Sequence, residues 1–141
     1  MIIQTDTIQL NTKGHTDIID ITGEVHDIIT NHAIENGQVL IFVPGSTGGL
    51  TTVEYEPGLI KDLPEAYERI APTGKSYHHD ARWGDGNGYA HVRASLTGPS
   101  LTIPIINGRM SLGTWQQIIF IDFDNRSRKR ELIVQVSGIS T

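Results

Sequence analysis

Trp115-Gln116-Gln117-Ile118-Ile119-Phe120-Ile121-Asp122-Phe123 is the stretch that decides the fold. From Ile118 to Ile121 every residue is apolar, so neither face of an extended segment there can meet water. Its β-branched and aromatic side chains favour a strand over a helix. Such a strand lies centrally in a sheet or is buried by a neighbouring subunit, and Trp115 reads as core. Its neighbours agree. Ser100 to Ile106, Arg109 to Leu112 and Glu131 to Ser137 are further strand candidates alongside Trp115 to Asp124. Asn107-Gly108 joins the first two, because both residues tolerate the positive φ of a type I′ turn.

Further upstream, Ile2 to Leu10 and Thr16 to Thr22 have strand composition. Val25, Ile28, Ile29, His32 and Ala33 recur at helical spacing, which predicts a helix over Gly23 to Asn36, capped by Thr22 and ended by Gly37. Val39 to Val43 is continuously apolar and predicts a strand covered on both faces. Pro44 ends it, Gly45 to Gly49 forms a loop, and Leu50 to Tyr55 resumes as a strand. Pro57 to Ala71 predicts a helix in two pieces, divided at Pro64. Gly88 to Leu96 predicts a short helix, capped by Asn87 or Asp85 and stopped by Gly98-Pro99. The class is α+β: one domain over residues 1–141, mixed or antiparallel and β-rich, with two or three helices packed on the sheet.

Composition narrows the function. The 141 residues suffice for a real core, and no cysteine is present to serve as nucleophile, disulfide or zinc ligand. A net charge of −5 argues against a general nucleic-acid binder. No stretch has the length of a membrane span, and Met1 to Leu10 lacks the features of a signal peptide, so a cytoplasmic protein is expected. The basic run Arg126-Ser127-Arg128-Lys129-Arg130 is expected to be a solvated hairpin end, with phosphate contact as the alternative.

Chemistry is concentrated between Tyr77 and His91. This stretch holds three of the six histidines, Asp80, Asp85 and Asn87, interleaved with three glycines. An extended chain would point His78 and His79 to opposite faces, so one of them enters a site, and His79 is nearer the polar loop. Asn87 and His91 are four apart and would share a helical face. His79, His91 and Asp85 would suit a divalent ion, zinc or magnesium, with open positions for water. Glu54 leaves the glycine loop's strand and could serve as base or orient an imidazole. Gly45 to Gly49 could present backbone N–H groups and the Ser46 and Thr47 hydroxyls to a phosphate. Arg82 and Arg93 are candidate phosphate partners, with Arg82 the more adaptable, and Gln116 could orient a ligand. The alternative is a hydrogen-bonded polar network without catalytic work.

The residues Phe42-Val43-Pro44, Leu50-Thr51, Glu54, Tyr77-His78-His79, Asp85, Asn87, Ala90-His91, Ala94-Ser95-Leu96, Gly98-Pro99-Ser100, Pro104, Gly108-Arg109 and Leu112-Gly113-Thr114-Trp115-Gln116 together resemble the YjbQ family along essentially the whole chain. The resemblance implies an α+β homotrimer with polar sites near subunit boundaries. It also implies a transferase resembling secondary thiamine-phosphate synthases, which join a pyrimidine methyl pyrophosphate to a thiazole phosphate, as a main or a side activity. A phosphorylated small molecule would be the ligand. Catalytic roles would fall to Glu54, His79, Asp85 and His91, and ligand binding to Ser46, Thr47, Arg82, Asn87 and Gln116. A non-catalytic metal- or metabolite-binding trimer and a metal-dependent phosphoesterase are the rival readings. One departure stands out: many relatives carry a histidine where this chain has Gly45.

Overall fold

The apolar run forms β7 (Gln117–Asp122), the middle strand of a three-stranded antiparallel sheet. Its neighbours are β2 (Asp17–Asp20) and β4 (Gly48–Val53). The computed structural model describes residues 1–140. A second, five-stranded sheet is ordered β1 (Ile2–Thr12), β8 (Arg128–Ile139), β3 (Asn36–Phe42), β5 (Ser100–Ile106) and β6 (Arg109–Met110). All its pairings are antiparallel as well. Among the described residues four helices, rather than two or three, complete the α+β fold: α1 (Thr22–Asn31), α2 (Pro57–Ile70), α3 (His78–Trp83) and α4 (Gly88–Thr97).

β7 is apolar on both faces because it separates two cores. Ile118 and Phe120 face the five-stranded sheet, packing with Val39, Ile41, Leu132 and Val134. Ile119, Ile121 and Phe123 face the other way, onto Tyr89, Ala90 and Ala94 of α4 and Ile60, Leu63 and Tyr67 of α2. Phe120 is wholly inaccessible, and truncating it to alanine would cost about 3–5 kcal/mol.

Several expectations need correction. Helix α1 stops at Asn31 and not at Asn36, because Ala33 takes a left-handed φ of 53°, and Gly37 lies inside β3. Thr22 does not cap it. Its hydroxyl donates to Asp20 at 2.6 Å and accepts from the Ile118 N–H at 2.9 Å, tying the helix start to β7. β3 is covered on one face only: Val39 and Ile41 are buried, whereas Phe42 is 39% exposed. Helix α2 runs unbroken through Pro64, held on both sides of it by the packing of Ile60, Leu63 and Tyr67. The Glu56 carboxylate caps its start by accepting from the Gly58 and Leu59 N–H groups. His78 and His79 are helical, since α3 occupies what the sequence suggested was extended. Trp115, expected in the core, is 72% exposed. Asn107 and Gly108 do have the positive φ values of the anticipated turn, 51° and 78°.

Among the described residues no helix lies over the outer face of the five-stranded sheet. Alternate positions place Ile3, Leu40, Phe42, Ile106, Ile133 and Ile139 there, separated by Thr, Gln, Ser, Asn and Pro. From Ile133 to Ile139 of β8 and along the outward positions of β3 and β5 the face bears no charge, although 19% of the chain is charged.

Candidate functional site

Helix α4 buries Tyr89, Ala90, Arg93 and Ala94 against β7, which turns His91 and Ser95 outward on one face. Those two residues line a hollow of about 200 Å³ with Gly45, Ser46 and Gly48 of the loop before β4. Helix α3 packs across the start of α4. A Cβ at Gly88 would sit 2.6 Å from the Tyr77 Cβ, so the absent side chain permits that approach. The Asp80 carboxylate fixes it by accepting from the Gly88 N–H at 2.8 Å. As a result the His79 and His91 rings lie 4.4 Å apart, centre to centre.

His79 Nδ1 faces two carboxylates, 3.3 Å from Asp80 Oδ1 and 3.4 Å from Asp85 Oδ1. One donor atom from each of the three residues lies within 4.8 Å of the others. A tetrahedral ion with bonds near 2.1 Å holds its ligands about 3.4 Å apart, a spacing that both separations from His79 Nδ1 match. His79 and Asp85 are brought together as the sequence suggested. Asp80 is the member that sequence reasoning missed. Reading the segment as extended hid it, because only a helix turns the residue after His79 back toward the same pocket. His91 joins through its ring, and His78 is exposed.

Beneath the cluster lies a second polar network. Asp122 and Asp124 are both fully inaccessible at the end of β7. Arg130 grips Asp122 through Nε at 2.8 Å and Nη2 at 2.9 Å, and Arg128 Nε reaches Asp124 at 2.7 Å. Thr12 donates to Asp122 at 2.6 Å. Thr47, proposed for ligand binding, is turned inward, donating to Asp124 at 3.1 Å and accepting from Arg130 at 2.7 Å. Arg128 and Arg130 are therefore not a solvated hairpin end. Burial alone would raise both carboxyls. For Asp122 this is outweighed by hydrogen bonds from Arg130, Thr12 and the Asp124 N–H. For Asp124 it is outweighed by those from the Asn125 N–H, Asn87 and Arg128, so both lie below the usual carboxylate range.

Asn87 connects the two layers and is buried. Its Nδ2 donates to Asp124 at 3.2 Å, which leaves Oδ1 as the acceptor end. Among the described residues Oδ1 is the one fully buried side-chain polar atom without a partner. Asn87 and His91 thus diverge instead of sharing a face. Asp85 does not cap α4 through its carboxylate; its backbone carbonyl accepts from Asn125.

The remaining candidates lie elsewhere. β4 runs from Gly48, opposite Asp122, to Val53, opposite Gln117. At about 3.3 Å per residue, Glu54 is roughly 20 Å from the Gly48 end, so one subunit does not bring it to His79. Gln116 is at the same far end, accepting from the Gly113 N–H and donating to Thr52. Arg82 is exposed, with its guanidinium 5.4 Å from the centre of the Trp83 ring. Arg93 is buried and engaged with the Ala71 carbonyl, Thr16 and Glu68, so it is a structural residue.

Two antiparallel sheets carrying a His–Asp cluster over one end define a small α+β protein with a candidate ligand site. The chain belongs to the YjbQ/UPF0047 family: the family described as UPF0047 protein YjbQ-like matches residues 6–139. It is 38% identical over 138 residues to a UPF0047 protein of Methanothermobacter thermautotrophicus, covering 98% of this chain and 94% of that one. Identity to UPF0047 protein YugU of Bacillus subtilis is 35% over 133 residues, covering 94% and 98%. The crystal structure of a YbjQ-like protein of unknown function from Sulfolobus solfataricus is similar at a TM-score of 0.92 and 30% identity, covering 97% of this chain and 98% of that one.

Proposed function

We propose that this protein is a homotrimeric, metal-dependent transferase acting on a phosphorylated small molecule, resembling secondary thiamine-phosphate synthases. The observation that carries the reading is the convergence of His79 Nδ1, Asp80 Oδ1 and Asp85 Oδ1, with the His91 ring beside them and an open hollow adjoining. His79, Asp80 and Asp85 would hold the ion. When bound, it would offset negative charge on a pyrophosphate leaving group.

The chain's own residues supply the remainder. The His91 ring lies beside that of His79 and lines the hollow, where its imidazole can hold or accept a proton at the ligand. Asp80, through the Gly88 N–H, keeps α3 and its histidine against α4. In the transfer, the bond from the pyrimidine methylene carbon to pyrophosphate oxygen breaks with its electron pair on oxygen, and the thiazole nitrogen forms the new bond to that carbon. No residue need become covalently attached, in keeping with the absence of cysteine.

The test is metal analysis of purified protein beside a synthase assay with a pyrimidine methyl pyrophosphate and a thiazole phosphate. His79→Ala should lose most of the bound metal and the activity, while His91→Ala should keep much of the metal and lose turnover. Wild-type levels of product from the protein with both changes would rule the reading out.

A further inference from the structure

We propose that Arg130 Nη1, open beside Gly45 at the rim of the hollow that His91 lines, forms an oxyanion subsite with the Ser46 hydroxyl, taking a phosphate or pyrophosphate group of the ligand. This deepens the proposed function and rests on it for the phosphorylated nature of the ligand. The sequence pointed to Arg82 for this task, with the Arg126 to Arg130 run as the alternative, and the geometry points to Arg130.

The Arg130 guanidinium is anchored on one side only. Nε and Nη2 bind Asp122 at 2.8 Å and 2.9 Å, and Nη2 also donates to Thr47 at 2.7 Å. Those contacts use three of the five N–H donors of the fork. Both N–H groups of Nη1 have no hydrogen-bond acceptor among the described residues, and Nη1 is not among the fully buried unpaired atoms. The donor corner of a locked guanidinium is therefore presented outward.

Gly45 decides what it meets. A Cβ built there would lie 3.2 Å from Nη1, so a side chain at this position would cover the donor and glycine leaves it open. Gly45 and Ser46 are also walls of the hollow that His91 and Ser95 line. Arg130 itself lines a neighbouring hollow of about 300 Å³, where Lys129 and Glu131 offset one another and leave the guanidinium as the unbalanced charge. Because Asp122 and Thr47 hold the fork fixed, an arriving oxyanion would immobilise little further side-chain freedom. Asp122 also compensates much of the charge. The gain is that of one charge-assisted hydrogen-bonding corner, about tenfold in affinity. Arg82 lacks this preparation, being exposed and placed over Trp83.

Replacing Arg130 would orphan buried Asp122 and could prevent folding, so the decisive variant is Gly45→Asp. Gly45 does not have a positive φ, and an aspartate there sets its carboxylate against Nη1. Titration calorimetry with inorganic pyrophosphate on metal-stripped protein should show wild-type binding, a loss of at least about tenfold in Gly45→Asp, and a smaller loss in Ser46→Ala. Arg82→Ala should bind as wild type does. Equal affinity in Gly45→Asp and wild type, transfer of the loss to Arg82→Ala, or no pyrophosphate binding by metal-stripped wild type would each overturn the assignment. Zinc and magnesium uptake by the same samples reports separately on the proposed function. Wild-type protein that takes up neither zinc nor magnesium sinks that reading and leaves the pyrophosphate comparison intact.

Discussion

Asp122 shows how a single residue can hold up both the fold and the site. Its carboxylate is wholly inaccessible yet ionised, because hydrogen bonds from Arg130, Thr12 and the Asp124 N–H outweigh the burial that would raise its pKa. Asp124 is in the same position, with Asn125, Asn87 and Arg128 as its donors. Both folded pKa values are depressed below the unfolded value near 3.9, so the stability they contribute is complete above about pH 5. It is lost as pH falls through about 4 and below, where the folded state must take up protons it disfavours. Denaturant melts from pH 7 to pH 3 should therefore show a steep acid decline, and Asp122→Asn should flatten it. Asp122→Ala at pH 7 should cost about 3 kcal/mol, since it leaves Arg130 largely buried and unpaired. A melt profile identical in slope for wild type and Asp122→Asn would refute the account. The sequence carried a signal for this pair, because two aspartates spaced by two close an otherwise apolar strand and two arginines spaced by two open the next. Reading Arg126 to Arg130 as a solvated hairpin end missed it, since β7 and β8 lie in different sheets and contact between sheets depends on packing that neither strand reveals.

Elements were legible where periodicity had room to repeat. The middle of β7 and the β5–β6 turn emerged from the sequence, because an apolar run and an Asn-Gly pair admit few alternatives, although the strand begins at Gln117 and not at Trp115. Helix α3 did not: its six residues make under two turns, too few for an amphipathic pattern to separate helix from extended chain. That one misreading hid Asp80 and therefore part of the candidate metal site. Helix α2 failed in the opposite direction, since the rule that proline divides a helix was applied without the tertiary contacts that override it. Its continuity makes a testable statement. Pro64 forgoes one intrahelical hydrogen bond, while Tyr67, one turn on, meets the Phe123 ring edge-on at 4.8 Å. Pro64→Ala restores the N–H, and we expect a gain of about 1 kcal/mol after allowing for the freer unfolded chain. Glu56→Ala removes the carboxylate that accepts the Gly58 and Leu59 N–H groups, with an expected loss of about 1 kcal/mol. Urea denaturation of the two single variants checks both signs. Pro64→Ala that destabilises would mean that α2 needs the proline's fixed φ at that position.

At the scale of the whole molecule, the outward face of the five-stranded sheet remains to be accounted for. A solvated antiparallel sheet face ordinarily alternates with charged residues, and here β3, β5 and the end of β8 present Leu40, Phe42, Ile106, Ile133 and Ile139 among uncharged polar side chains. A stretch so free of charge in a chain carrying −5 overall is suited to meeting another copy of itself, since like-charged surfaces would otherwise repel. This is the face through which the proposed trimer is expected to form. Light scattering after gel filtration should give three times the 15.5 kDa of the chain. The exposed side chains on that face can be changed without touching either core: Phe42 and Ile106 are 39% and 54% accessible in the single subunit. Phe42→Lys with Ile106→Lys should therefore leave the subunit folded, with small direct costs, yet place like charges opposite one another across any interface there. The expected product is a folded monomer whose melting temperature no longer rises with protein concentration. A double variant that still elutes as a trimer would place the interface elsewhere, and a wild-type protein that runs at 15.5 kDa would remove the trimer itself.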